Sequence, residues 1–293
     1  MRDTPIRIMS VNMRRRSAIT HALLQKSQAD ILLIQEPWYG KVRTAHSDSS
    51  PEGIEISSAT HNNQWECFLP SLKPGDTCRV ATYIRTSLSS SVSIFNQLTH
   101  PCASSSSIIT DLILPTETLR IVNIYHQVPV QGHALHHLLS NQFDDSISTL
   151  IMGDFNTHSV RWSFPFATIS PWSHDLEDWF SDQGLHVLNT PRVATWQGRD
   201  DQHPSVLDLA LLNDAALFND QFSSLSVSFT DSLGSDHAAL HISWVPSTAI
   251  PLTSPSPLPG FKILDELRAS WIHHFRLLPA PPITDIPSLE DAA

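Results

Sequence analysis

The sequence predicts an α/β fold in which short buried strands outnumber helices. Three observations lead there: a strand, helix, strand opening; a middle rich in strand-length apolar runs separated by turn-forming Ser, Pro and Asn; and polar residues that recur immediately after those runs. Residues 6–11 alternate apolar and polar with one Met9/Ser10 irregularity, as a partly buried strand does, and they deliver Asn12 at the strand end. Ser17 reads as the N-cap of a short helix that carries Ala18, Ile19, Ala22 and Leu23 at helical spacing. Ile31-Leu32-Leu33-Ile34 is a continuous apolar run, expected to be buried on both faces and closed by Glu36 and Pro37.

Further strands are expected over residues 79–85, 108–114 and 119–125. Residues 132–143 place Leu135, Leu138, Leu139 and Phe143 on one helical face. Leu150-Ile151-Met152 follows as a buried strand ending in Gly153-Asp154-Phe155-Asn156, and a helix over 175–180 with strands over 206–212 and 238–245 completes a domain spanning residues 1–245. At Pro246 the composition shifts to Pro, Ser and Thr, which assigns 246–260 to an extended linker. The tail, 261–293, carries one amphipathic helix with Phe261, Leu264, Leu267, Trp271, Phe275 and Leu278 along one side.

Composition bounds the function. With 41% hydrophobic and 16% charged residues the chain can bury a sizeable core, which excludes wholesale disorder. Three cysteines, without CxxC spacing, exclude a disulfide framework or zinc cluster and point to a reducing compartment. No apolar run approaches membrane-spanning length and no signal-like segment opens the chain, so the expectation is an intracellular protein, nuclear or cytoplasmic and not secreted. A net charge of -11 opposes phosphate binding unless some of the carboxylates hold a cation that inverts their field.

The chemistry-bearing residues follow apolar runs: Asn12, Glu36, Asp154 with Asn156, and Asp236 with His237. Ligands of α/β sheets gather at the carboxyl ends of strands, so these residues are expected to meet in one cleft. Carboxylate and amide oxygens are hard donors suited to Mg²⁺, with Mn²⁺ able to substitute.

Asn12, Gln35-Glu36, Tyr125 after Val122-Asn123-Ile124, Gly153-Asp154-Phe155-Asn156, Val206-Leu207-Asp208-Leu209 and Ser235-Asp236-His237 resemble, in this order, the signature of the endonuclease/exonuclease/phosphatase superfamily. Asp154-Phe155-Asn156-Thr157-His158 with Trp162, Leu188-Asn189-Thr190 before Thr195-Trp196, and Gly234-Ser235-Asp236-His237 make the chain most similar to the endonuclease domain of non-LTR, LINE-type retrotransposons. The tail resembles the segment that joins such endonucleases to a reverse transcriptase domain, and none follows here, which reads as a fragment or a domesticated copy. The resemblance implies a four-layer sandwich, two mainly antiparallel β-sheets packed face to face and flanked by helices. It also implies Mg²⁺-dependent, in-line attack by water on a DNA phosphodiester, leaving a 3′-hydroxyl usable as a primer, by a chain expected to act as a monomer.

Residue roles follow from the same resemblance. Glu36 would hold the metal and Asn12 would help place it or bond the phosphate; Asp236 would be a further metal-side carboxylate or an orienting group. Asp154 is the expected general base and Asn156 the donor to the pentacovalent oxyanion. His237 would contact the scissile phosphate with Asp208 orienting its imidazole, and Tyr125 would bond the phosphate or a catalytic carboxylate. Tyr125 departs from the pattern, since its relatives more often place Pro within two residues and this chain has His126-Gln127-Val128 before Pro129. Arg14, Arg15 and Arg16 would bind flanking phosphates at the cleft rim, and Trp196, with Arg192 and Arg199, would form another contact region able to stack on a base. His158 and Trp162 read as structural or DNA-facing. Two alternatives stand beside a DNA-nicking endonuclease: a phosphatase for a small ester such as a phosphoinositide or nucleotide, and an inactive retrotransposon remnant.

Overall fold

A computed structural model describes residues 4–47, 50–73, 76–89, 91–127, 136–198 and 202–247. In chain order the elements are β1 (Ile6–Asn12), α1 (Ser17–Lys26), β2 (Ile31–Gln35), β3 (Tyr39–Ser47), β4 (Ser50–Ala59), β5 (Trp65–Phe68), β6 (Val80–Arg85), α2 (Thr86–Ser89), β7 (Ser93–Asn96), β8 (Ser107–Ile113) and β9 (Thr118–Tyr125). They continue with α3 (His136–Leu139), β10 (Ser148–Asp154), α4 (Ser173–Asp182), β11 (Leu185–Val187), β12 (Asp208–Asn213), α5 (Asp214–Phe218), β13 (Ser226–Ser228) and β14 (Ala239–Trp244).

Two six-stranded sheets carry the fold. One has the order β13-β14-β1-β2-β6-β5, the other β11-β12-β10-β9-β8-β7, and β3 and β4 pair separately as a hairpin. Only β1 with β2 and β9 with β10 run parallel within the two large sheets; their other named pairs are antiparallel.

The alternation of side chains along each strand builds the layers. In β1, Ile6 and Ile8 turn to a core shared with Leu119, Ile121, Leu150 and Met152 of the facing sheet. Met9 and Val11 turn the other way, onto Leu23 and Leu24 of α1. In the second sheet Val122, Ile124 and Ile151 turn outward onto Leu176, Trp179 and Phe180 of α4. Helix, sheet, sheet, helix is the four-layer sandwich expected, and strands covered on both faces explain why β2 and β10 are apolar without alternation. Each fully buried aliphatic side chain contributes about 1.5–3 kcal/mol, so the central layer dominates the stability.

A polar tie crosses that apolar centre. Asn123, fully buried in the second sheet, donates from Nδ2 to the Ala81 carbonyl at 3.0 Å and accepts from Gln35 Nε2 at 2.7 Å. A buried amide needs its partners, and these lie on the first sheet, so the bonds pin one sheet's register against the other.

Several local expectations change. Ser17 is the first helical residue, and Arg16, with extended backbone and no side-chain cap bond, stands at the N-cap; the buried stripe of α1 is Thr20, Leu23 and Leu24, and Ala18 is exposed. The helix expected over 132–143 is described only as the single turn α3, with 140–143 non-helical; its first part, 132–135, lies outside the described residues. The β3–β4 hairpin was not expected; its strands are rich in polar residues. The compact unit that contains both sheets extends to Ser247; the remainder of the linker and the tail helix lie outside the described residues. Among the described residues, no helix is long and apolar enough to cross a membrane.

Candidate active site

Strand register assembles the site. Parallel pairing sets Asp154 opposite Tyr125, antiparallel pairing sets the same Asp154 opposite Asp208, and Asn12 lies opposite Gln35 in the other sheet, next to Glu36. His237 stands two residues before β14, whose Leu240 pairs with Ser10, so it arrives beside the end of β1. One edge of the sandwich therefore collects residues more than two hundred positions apart.

Asp154 is the centre. Its side chain is 1% exposed, its Oδ2 accepts from Asn12 Nδ2 at 2.8 Å, and its Oδ1 accepts from the Asn156 N–H at 2.9 Å. Burial, and then the neighbouring Asp208 carboxylate, push its pKa up to about 7 against the lowering effects of His237, Asn12 and Asn156.

His237 is pinned by Asp208, whose Oδ2 and Oδ1 lie 2.9 and 3.1 Å from Nδ1. Its Nε2 lies 4.0 Å from Asp154 Oδ2. Burial acts to lower the imidazole pKa, but Asp208, Asp154 and Asp236 outweigh it and raise the value to about 9. The ring is therefore an imidazolium at neutral pH, with Nδ1–H donating to Asp208 and Nε2–H left for the cleft.

The remaining expected residues frame this pair. The Asn156 backbone is left-handed at φ 44, and its Nδ2 donates to the His126 carbonyl at 2.8 Å, which leaves the amide's second N–H. Tyr125 is buried beside Glu36, and burial with the Glu36 and Asp154 carboxylates pushes its pKa upward. Glu36, also left-handed at φ 45, has Arg79 Nη1 3.9 Å and Arg15 Nε 4.0 Å from one carboxylate oxygen. Asp236 accepts on one oxygen from Arg14 Nη1 at 2.8 Å and Trp196 Nε1 at 3.1 Å.

The basic run is built into the site wall. Arg14 and Arg15 take left-handed backbone at φ 49 and 58, which turns Arg14 to Asp236 and Arg15 to Glu36, while Arg16 donates to the Gly234 carbonyl. Trp196 bridges by backbone to Ser205 and to His237, so its half-buried indole borders the histidine. Trp162 is a core residue, 1% exposed, donating Nε1–H to the Thr157 carbonyl. His158 sits half-buried at Ser170 and Ser163, and burial lowers its pKa. Arg192 is an exposed turn residue, and Arg199 lies outside the described residues.

Two site residues were given no role by the sequence reading, although Ser235 stood in its Ser-Asp-His motif. Ser235 Oγ donates to the Asn12 carbonyl at 2.6 Å and accepts from the His237 N–H at 3.2 Å, clamping the two loops together. Arg79 was read only as the start of a strand; a cation at the head of an otherwise apolar run was the available signal.

The donor chemistry fits a hard divalent cation. Asp154, Asp208 and His237 offer ligand atoms within 4.8 Å of one another, and Glu36 adds a carboxylate on the Tyr125 side. Asp208 and His237 are already joined to each other, so Glu36 and Asp154 are the carboxylates better disposed to serve a cation.

Comparison with known proteins places the fold among those of solved endonucleases. Residues 119–241 match the endonuclease-reverse transcriptase family model. Among solved structures, the endonuclease domain of TRAS1, a telomere-specific non-LTR retrotransposon, superposes with a TM-score of 0.62 at 16% identity, covering 82% of this chain and 98% of that one. The AP endonuclease LMAP from Leishmania major superposes with a TM-score of 0.56 at 11% identity, covering 83% and 88% respectively. No curated protein sequence matches the chain. The fold is therefore one shared with solved endonuclease domains, and the second half of the domain matches an endonuclease-reverse transcriptase family model.

Proposed function

We propose that this chain is a Mg²⁺-dependent phosphodiesterase that nicks DNA. The observation that carries the proposal is the buried Asp154 carboxylate, held by Asn12 and the Asn156 N–H beside the Asp208–His237 pair. A pKa near 7 suits a general base at neutral pH, because about half of the groups are ionised and each takes a proton readily. Asp154 takes the proton of the attacking water as its oxygen bonds to phosphorus and the P–O3′ bond breaks, and the departing 3′-oxyanion takes a proton from solvent to give a 3′-hydroxyl beside a 5′-phosphate. The His237 imidazolium donates Nε2–H to a non-bridging oxygen, Asp208 holds the ring in the required orientation, and the free N–H of Asn156 adds a second donor to the developing charge. Glu36, beside Tyr125 and assisted by the Asn12 side, would hold the cation; when bound it supplies Lewis-acid stabilisation of the phosphoryl charge.

The nucleic-acid substrate is supported by the arginines concentrated at the site of an otherwise acidic chain and by Trp196 at its border. The likeness to two endonucleases supports the same reading. The test is conversion of supercoiled plasmid to open circles by the purified protein with Mg²⁺, beside EDTA and Asp154→Ala controls. Nicking that both controls abolish supports the proposal. A folded protein that leaves plasmid intact but releases phosphate from small esters refutes the DNA reading, and one inert to both is a catalytically dead remnant.

A further inference from the structure

Arg79 has been given no individual role above, yet it stands beside both Glu36 and Tyr125. Its backbone carbonyl accepts the Glu36 N–H at 2.8 Å, and its own N–H reaches the Ser105 carbonyl at 3.1 Å, so the main chain there is fixed on both sides. Its guanidinium carbon stands 5.9 Å from the centroid of the Tyr125 ring, and the side chain is only 15% exposed. The nearest Glu36 oxygen is 3.9 Å away, too far for a hydrogen bond. Among the described residues no side-chain hydrogen bond engages this guanidinium. A largely buried fork of five N–H donors is thus held by a cation–π contact and charge attraction, with no side-chain hydrogen bond among the described residues to use them.

We propose that Arg79 is a phosphate-binding residue of the cleft: Tyr125 and Glu36 hold its planar fork for the non-bridging oxygens of a phosphodiester backbone. This rests on the phosphodiesterase reading and names the group that receives the polyanion on that side. Guanidinium matches phosphate geometry in a paired, charge-assisted contact, which a point cation does not reproduce. A second consequence follows from the same distance. A cation within 4 Å of Glu36 repels a divalent ion at that carboxylate, so Arg79 strengthens substrate binding while weakening metal binding. A purely structural arginine would support both, since losing it would disorder Glu36 and Tyr125 together.

The opposite signs make the test. Arg79→Gln is compared with its parent in an Asp154→Asn background that cannot cleave. A labelled DNA duplex is titrated by fluorescence anisotropy at several salt concentrations, and Mn²⁺ binding is followed by electron paramagnetic resonance. The expected result is a duplex Kd raised about tenfold, a salt slope smaller by about 0.9, and Mn²⁺ bound as tightly or more tightly. Unchanged duplex affinity and slope, or weaker Mn²⁺ binding, overturns the proposal. Should Arg79→Gln fail to fold, Arg79→Lys keeps the charge and is expected to weaken duplex binding with the parent's salt slope; a slope lower by a full unit overturns the proposal. If the wild-type protein neither cleaves nor binds any oligonucleotide, the phosphodiesterase reading fails and takes this one with it. If the protein binds duplex and Arg79→Gln binds it equally, the Arg79 assignment alone has failed.

Discussion

Replacing Asp154 with Asn is expected to abolish hydrolysis and, without metal, to make the fold more stable. The carboxyl is 1% exposed, and burial, reinforced by Asp208, raises its pKa from 3.8 to about 7. A carboxyl whose folded pKa lies above its unfolded value contributes stability that is fully present below about 3.8 and is lost as pH rises through about 7. At about 1.36 kcal/mol per unit the rise corresponds to a ceiling of about 4 kcal/mol at pH 8. Asn keeps an oxygen for the Asn156 N–H but turns an NH₂ toward Asn12 Nδ2, which returns about 1–2 kcal/mol of that gain. The net expectation is a gain of about 2–3 kcal/mol, several degrees in Tm for a domain of this size. The assay is thermal unfolding of both proteins in EDTA at pH 8 and pH 5. The variant should melt higher at pH 8, with the difference gone or reversed at pH 5, where Asp154 is already protonated in the fold. Saturating Mg²⁺ should narrow the gap at pH 8 by stabilising the wild type more than the variant. An unchanged or lower Tm for the variant at pH 8, or a gain equal at both pH values, would refute the reasoning.

Three further outcomes test neighbouring parts of the site. Asp208→Asn removes the largest influence raising His237, so the imidazole pKa should fall from about 9 by roughly two units, visible by NMR titration. Because the protonated ring is the donor, the alkaline limb of kcat/KM should move to lower pH, with kcat at pH 8 down on the order of 10²-fold; an unmoved limb would remove His237 from the reaction. Glu36→Gln should weaken Mn²⁺ binding by at least about tenfold with Tm nearly unchanged in EDTA, and equal Mn²⁺ affinity would place the cation elsewhere. Gly153→Ala would set a Cβ 1.9 Å from the Ile124 carbonyl oxygen in the adjoining strand, so it should cost more than about 4 kcal/mol. A urea midpoint close to wild type would show that β9 and β10 can separate at the site.

The layered architecture was legible because burial leaves a periodic trace. Ile6, Ile8, Met9 and Val11 alternate between the two cores, and the unbroken apolar runs at 31–34 and 150–152 mark strands covered on both faces. The candidate residues were legible for a related reason: polar groups directly after such runs have nowhere to stand but the sheet edge. Strands rich in polar residues such as β3 and β4 leave a weaker trace, and the start of α1 is decided by backbone dihedrals at Arg16 that composition does not encode.

The sequence by itself determined which residues could be catalytic, the order in which they appear, and the strand ends that carry them. Only the tertiary structure decided their partners. Asp154 meets Asp208 through antiparallel register, Tyr125 through parallel register, and Asn12 across the gap between sheets that Gln35 and Asn123 tie together. The same assembly set the protonation states: burial moves Asp154 to about 7, and three carboxylates move His237 to about 9. It also turned Arg14 toward Asp236 and seated Arg79 between Glu36 and Tyr125. Local propensity acts over a few residues, whereas desolvation and Coulomb interactions depend on distances that exist only once both sheets have closed on each other.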